Sequence, residues 1–209
     1  MAIAAGLCVV VVATRARGDE PPASPPTGPA WAVRASMAPY LFPDGTAFLL
    51  PIVAVDHGGL HVEGRYNYEN LRTGSLWVGW NWEWGEELTF ALTPMVGGVF
   101  GDKNGVAAGA EWTLAWGPLE LYSELEFVVD CGDAARSNVY TWTELSARPW
   151  EWFRAGLAVQ RSNSVESSRE VQWGPLLGVE WRELSLTTYW FNPGQVEAQY
   201  WVVALGVSL

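Results

Sequence analysis

Three glutamates that share one face of a single predicted β-strand are the clearest candidates for chemistry. Residues 119–127 read LELYSELEF, in which Glu120, Glu124 and Glu126 alternate with apolar side chains. Since successive strand residues point to opposite faces, these carboxylates and Tyr122 lie on one side. Crowded carboxylates attract cations and hold protons more tightly. The pattern predicts a cation-favouring surface, and a satisfied Glu–Arg network with a structural role is the alternative.

His61 and Glu63 form a second candidate, as a general base and the carboxylate that orients it. Such catalysis also needs a nucleophile within hydrogen-bond reach of the base. The chain has only two histidines, and the other, His57, falls in a predicted turn. The sequence therefore predicts that the chain is not an enzyme, with a membrane-embedded lipid-modifying enzyme as the third alternative.

No motif in the sequence predicts a metal site or a cofactor. The segment 101–105, GDKNG, lacks the twelve-position ligand pattern of a calcium loop, and its Asn-Gly pair is typical of a hairpin turn. The segment 130–133, DCGD, has too few ligands for a metal. Phosphate-binding glycine motifs, zinc spacings and dinucleotide fingerprints do not occur.

The composition indicates a surface that does not face water alone. Charged residues make up 17% of the 209 residues, hydrophobic residues make up 49%, and 14 residues are tryptophan. Lys103 is the single lysine, whereas exposed surfaces of water-soluble domains are usually richer in Lys and Glu. The net charge of −11 excludes a basic footprint for nucleic acid.

The N-terminal segment has the features of an export signal followed by a linker. The apolar run at 4–13 is too short for a membrane-spanning helix and has the length of a signal-peptide core. Ala16 and Gly18 form a small-residue cleavage site, which predicts a signal peptide over 1–18. Residues 19–30 are Pro-rich and predict a disordered linker. Removal of the signal leaves Cys131 without an intrachain disulfide partner.

Period-2 alternation from residue 31 to 209 predicts a single all-β domain of about twelve strands, with ten to fourteen possible. Connections after even strands are tight, whereas those after odd strands are generally longer and more polar. Pro51, Pro94 and Pro175 fall inside strands, where bulges are the expected accommodation. The predicted strands are 31–41, 46–55, 59–69, 74–84, 87–100, 105–116, 118–129, 138–148, 151–161, 170–181, 184–191 and 199–209.

The strands are expected to close into an antiparallel transmembrane barrel with its apolar face outward. The opposite orientation would expose Arg and Glu side chains to acyl chains, and an Arg at the midplane costs roughly 2–4 kcal/mol. The predicted lumen comprises Arg34, His61, Glu63, Arg65, Glu83, Glu111, Glu120, Glu124, Glu126, Glu144, Arg148, Arg154 and Glu180. Aromatic residues near strand ends predict an interfacial girdle, made of Tyr66, Tyr68, Trp84, Trp116, Trp181, Trp190 and Trp201.

The last strand resembles the C-terminal signal of bacterial outer-membrane proteins. Residues 200–209 read YWVVALGVSL, with apolar residues at each odd position up to Leu209. The chain is similar to small outer-membrane β-barrels of the porin-like superfamily, although that group usually ends in Phe rather than Leu. The resemblance implies the bacterial outer membrane as the location, with the lipid bilayer and the outer-membrane assembly machinery as partners.

These expectations converge on a porin-like channel for small solutes or ions, with an acidic, cation-favouring lumen. The solute is not specified by any residue pattern. A filled, non-conducting structural or surface-recognition barrel is the alternative, because Trp77, Tyr122, Trp142 and Tyr189 add bulk to the predicted lumen.

Overall fold

The protein is described by a computed structural model covering residues 30–164 and 170–209. The predicted signal peptide and all but the last residue of the predicted linker lie outside the described residues. The described chain forms thirteen strand segments: β1 (Trp31–Leu41), β2 (Ala47–His57), β3 (Leu60–Tyr66), β4 (Thr73–Trp80), β5 (Trp82–Trp84), β6 (Leu88–Gly101), β7 (Gly105–Trp116), β8 (Leu119–Asp130), β9 (Asn138–Trp150), β10 (Phe153–Ser164), β11 (Glu170–Trp181), β12 (Leu184–Phe191) and β13 (Tyr200–Ser208).

The segments close into one antiparallel barrel of twelve strands. Segments that follow one another in sequence pair, except β4 with β5, and β1 pairs with β13 to join the two ends of the sheet. Both β4 and β5 pair with β6, so they are two halves of one strand interrupted at Asn81. The predicted closed antiparallel barrel is confirmed.

The connections make the two ends of the barrel different. At one end the turns contain two or three residues, at 58–59, 85–87, 117–118, 151–152 and 182–183. We call this the short-turn end, and the opposite end, with connections such as 67–72, 131–137 and 192–199, the loop end. Helical structure in the described chain is confined to the 3-10 turn Ala134–Arg136. No helix among the described residues is long and apolar enough to cross a membrane.

The three prolines predicted to fall inside strands sit where one neighbouring ladder is missing, and no register shift occurs at any of the three. Pro51 lies just beyond the β2–β3 ladder, which begins at Ile52. Pro175 likewise precedes the first β11–β12 pair. Pro94 falls in the gap between the β4–β6 and β5–β6 ladders. Because proline lacks a backbone donor, an unpaired flank accommodates it without the bulges expected from the sequence.

Polar and charged side chains point into the barrel, and apolar side chains cover its exterior. On β8, Glu124 and Glu126 are 2% exposed, whereas Leu125 between them is 48% exposed. The last strand also alternates between the two faces, with Val202 buried and Leu205 exposed, but both of these side chains are apolar. Tryptophans concentrate on the exterior near the short-turn end: Trp31, Trp80, Trp82, Trp84, Trp116, Trp150, Trp152 and Trp181.

One residue of the predicted girdle is misplaced. Tyr68 is buried in the lumen at 1% exposure, because β3 ends at Tyr66 and Asn67 adopts a left-handed φ of 59° that turns the chain inward. The remaining predicted girdle residues lie on the outer face near strand ends. Trp190, half-buried, stacks on Trp201 with ring centroids 5.5 Å apart, and the exposed ones are Tyr66, Trp84, Trp116, Trp181 and Trp201.

Candidate functional site: the barrel lumen

A single guanidinium stands among four carboxylates at mid-height in the lumen. Arg65 on β3 forms ion pairs to Glu63 on its own strand, to Glu124 (2.7 Å) and Glu126 (3.2 Å) on β8, and to Glu111 (3.5 Å) on β7. Only a closed barrel brings β3 and β8 face to face. We call these five residues the Arg65 network. Its formal charge is negative, since one cation faces four acids, and all its members except the half-buried Glu111 are buried.

Aromatic rings and a loop carboxylate complete the surroundings of Arg65. Its guanidinium lies 4.2 Å from the Tyr68 ring centroid and 5.0 Å from that of Trp77, within the range of cation–π attraction. Tyr68 Oη donates to Glu124 (2.5 Å). Trp77 Nε1 donates to Glu69 (3.2 Å). Residues of the 67–72 loop therefore enter the lumen and contact the network from the loop end.

A second, balanced ion pair lies on the opposite wall. Arg154 Nη1 on β10 donates to Glu144 (2.9 Å) on β9, and Trp142 Nε1 donates to the other carboxylate oxygen (3.0 Å). Arg154 also reaches Thr187 on β12 at 3.3 Å. One cation and one anion match here, so this pair adds no net formal charge, unlike the Arg65 network.

Aromatic side chains fill the lumen between these charges and the loop end. Phe42 stacks on Tyr200, with ring centroids 5.2 Å apart, and Tyr200 stacks on Phe191 at 5.1 Å. Phe191 and Tyr200 are buried in this packing, at 0% and 4% exposure. We call the set the aromatic cluster, and its members are Tyr40, Phe42, Phe48, Tyr68, Tyr140, Trp142, Tyr189, Phe191 and Tyr200.

At the short-turn end, polar side chains form a network around Asp56. Its carboxylate pairs with Arg34 (3.0 Å) and accepts a hydrogen bond from Asn81 Nδ2 (2.7 Å). His61 Nδ1 is hydrogen-bonded to Asp56 at 2.8 Å, and its Nε2 lies 3.8 Å from Glu63. The base–orienter pair considered from the sequence is thus a buried His61 that is hydrogen-bonded to Asp56, with Glu63 beyond hydrogen-bond distance. On the opposite wall, Arg148 pairs with Glu180 (2.6 Å).

The lumen is open at the short-turn end. A cavity of about 470 Å³, which we call the short-turn cavity, lies between this end and the Arg65 network. Glu111 belongs to both, since it lines the cavity and contacts Arg65. The inward side chains of the wall are Arg34, Asp56, Asn81, Glu83, Ala91, Thr93, Glu111, Thr113 and Tyr122. The described chain shows no group of three or more His, Cys, Asp or Glu arranged to hold a metal ion.

Comparison with known proteins gives structural matches alone. No protein-family model matches the chain, and no curated protein matches its sequence. Among solved structures, a "KdgM porin" superposes with a TM-score of 0.57 at 10% sequence identity, over 84% of this chain and 97% of that chain. The fold is that of a porin barrel.

Two further solved structures are similar. A "KdgM porin in complex with disordered oligogalacturonate" matches with a TM-score of 0.54 and 9% identity, again over 84% of this chain and 97% of that one. Pseudomonas aeruginosa OccK5 (OpdH) matches at 0.46 and 10% identity, over 82% of this chain and 62% of that chain. The two KdgM porin matches show the barrel fold, and an apolar exterior around an enclosed interior is typical of a membrane-spanning β-barrel.

The porin-type barrel brings together most of the residues predicted for the lumen. Glu83 lies at the exposed rim of the short-turn cavity. The half-buried members are Arg34, Glu111, Glu120, Arg148 and Glu180. The buried members are His61, Glu63, Arg65, Glu124, Glu126, Glu144 and Arg154.

Sequence reasoning missed two charged residues that loops carry into the lumen. Glu69 and Lys103 are buried although they lie outside the strands. Burial raises the pKa of the Glu69 carboxyl and lowers the pKa of the Lys103 ammonium, since each charged form loses hydration. Nearby Glu126 and Asp130 oppose the change at Lys103 by raising its pKa. Alternation could not reveal Lys103, which lies in a predicted connection. Glu69 is the last residue of the predicted strand 59–69 and shares the face of His61, Glu63 and Arg65, so alternation could have found it.

Replacement of Tyr68 by phenylalanine tests whether the 67–72 loop is held by the network. The variant loses the hydrogen bond to the buried Glu124 carboxylate, and we expect it to lower the free energy of unfolding by roughly 1.5–3 kcal/mol. Urea unfolding in lipid vesicles, followed by heat-modifiable gel mobility, measures the change. Tyr66→Phe, on the exposed outer face, is the control and should unfold like the parent. Equal stabilities for the two variants would contradict the contact.

Proposed function

We propose that the chain is an exported outer-membrane barrel of the porin type that favours small cations in its lumen. The observation that carries the proposal is the Arg65 network, in which four carboxylates face one guanidinium. A signal peptide over residues 1–18 would deliver the chain to the periplasm. The termini and the short-turn end then face the periplasm, and the loop end faces outward.

The charge distribution along the lumen supports cations over anions. Rings of Asp and Glu select cations in pores because they lower the energy of a positive ion and raise that of a negative one. Here Arg154 is matched by Glu144, and Arg148 by Glu180. The excess carboxylates of the Arg65 network therefore set the sign of the potential at mid-height.

A filled, non-conducting barrel is the second candidate, and the aromatic cluster favours it. Trp142 and Phe191 are completely buried, and their rings pack with centroids 5.3 Å apart. A solute that passes the loop end has to displace such rings. A conducting barrel therefore requires the aromatic cluster to move, whereas a filled, non-conducting barrel requires no such motion.

Conductance across a planar bilayer discriminates between the two candidates. We expect the reconstituted full chain to conduct in small steps in potassium chloride, with a reversal potential of the sign given by cation selectivity in a salt gradient. Glu126→Gln, which removes one of the excess charges, should move the reversal potential toward zero. Glu197→Gln, on the exposed 192–199 loop, is the matched control and should leave it unchanged.

The outcomes are separable. An anion-selective reversal potential would refute the cation preference. Correctly folded protein that never conducts, verified by heat-modifiable mobility, would refute the conduit and favour the filled barrel.

A further inference from the structure

The short-turn cavity has the size and walls of a ligand site. Its volume of about 470 Å³ lies within the roughly 300–1,000 Å³ typical of small-molecule pockets. That space far exceeds the volume of a bare ion. We propose that the cavity binds a small organic cation carrying an ammonium group. The proposal goes beyond the conduit function, because a site open at one end needs no path through the barrel.

The charges in the cavity wall favour a cation. Arg34 is held by Asp56 at 3.0 Å, so these two charges offset each other. Glu83 and Glu111 are the other charged residues that line the cavity, and both are acidic. The wall as a whole therefore carries two formal negative charges more than positive ones. Glu83 and Glu111 would both repel an anionic ligand.

Glu111 connects the wall of the short-turn cavity to the Arg65 network, which has more carboxylates than guanidinium groups. Its 3.5 Å separation from Arg65 is the longest of the four ion pairs in the Arg65 network. The single guanidinium is already shared with Glu63, Glu124 and Glu126, so it compensates Glu111 least. An ammonium group in the cavity can approach Glu111 from the open side and supply the missing positive charge. Attraction to the half-buried Glu111 is stronger than attraction to a fully exposed carboxylate, because the effective dielectric constant is lower there.

The remaining wall suits the organic part of such a ligand. Thr93, Thr113 and Ala91 add methyl groups, and the aromatic ring of Tyr122 lies at the buried side. Aromatic rings attract alkylammonium ions in addition to contacting their carbon chain. The hydrogen bond from Thr93 to Asn81 (2.6 Å) holds this part of the wall in place before any ligand arrives.

Isothermal titration calorimetry with putrescine tests the site on the folded full chain in lipid nanodiscs. We expect saturable binding of putrescine and no binding of butanediol, which has the same length without charge. Glu111→Gln should weaken the affinity by roughly tenfold or more, as expected when one partner of a charged hydrogen bond is lost. Glu151→Gln removes the same charge from an exposed turn at the same end and should leave the affinity unchanged.

Absence of putrescine binding to folded protein would overturn the inference, and so would equal affinities in the Glu111→Gln and Glu151→Gln variants. Heat-modifiable mobility verifies that each variant is folded. Because the titration uses no membrane potential, its result is separate from that of the conductance experiment. Binding of putrescine without conductance would support the ligand site and refute the conduit. Conductance without binding of putrescine would support the conduit and refute the ligand site.

Discussion

Replacing Arg65 by methionine is expected to lower the free energy of unfolding of the barrel by about 3–5 kcal/mol, the usual cost of removing one partner from a buried ion pair. The substitution removes the cation that Glu63, Glu124 and Glu126 share. Their charges then repel one another, and the three carboxylate side chains are only 1–2% exposed. Urea unfolding in lipid vesicles at neutral pH measures the loss.

A matched arginine and a rescue make this experiment decisive. Arg72 also pairs with a carboxylate, that of Asp102, but its side chain is 79% exposed, so Arg72→Met should cost under about 1 kcal/mol. Adding Glu124→Gln and Glu126→Gln to Arg65→Met should restore much of the stability, because the unmatched charges are removed with the cation. Equal costs at Arg65 and Arg72, or a triple variant no more stable than Arg65→Met, would contradict the description of the network.

The second large effect is expected on the exterior, where Leu125→Arg should cost roughly 2–4 kcal/mol if the apolar face meets hydrocarbon. Leu125 lies near the middle of β8 and points away from the lumen. An arginine there must lose its hydration or distort the bilayer to keep it. Unfolding from lipid vesicles, again followed by heat-modifiable mobility, measures the cost.

Leu71 provides the control, since it is also 48% exposed but lies in the 67–72 loop. Leu71→Arg places the same charge beyond the strands, and we expect a change within about 0.5 kcal/mol, as for ordinary surface substitutions. Because the two leucines are equally exposed in the isolated chain, only a surrounding bilayer separates the two variants. Equal effects would indicate that water surrounds both positions.

The fold was largely predictable because strand periodicity is a local property. Alternation in 119–127 and 200–209 predicted the strands, and the cost of placing Arg and Glu against acyl chains predicted which face points outward. It could not reveal the interruption at Asn81, since the alternation of inward and outward side chains continues from Trp80 to Trp82. It also misplaced Tyr68, because the left-handed conformation of Asn67 reverses the direction of the chain without any break in composition.

The site was predictable as a set of residues and not as an arrangement. The Glu124 and Glu126 stripe follows from spacing alone. Its partner Arg65 is 59 positions away from Glu124 in sequence, and their contact depends on how many strands separate them around the barrel. The aromatic cluster shows the same limit, because Phe42 and Tyr200 meet only through the β1–β13 pairing. Contacts of this kind depend on closure of the barrel, which no local pattern in the sequence encodes.

The seam between β1 and β13 has a consequence for biogenesis. The backbone of Leu209 exchanges hydrogen bonds with Val33 (2.8 and 2.9 Å), whereas the other ladders join segments that follow closely along the chain. Until β13 pairs with β1, the outer edges of these two strands therefore have backbone donors and acceptors without partners. Unpaired strand edges can pair with other polypeptides and promote aggregation. We therefore expect the chain to aggregate more readily before β1 and β13 pair than after the barrel closes.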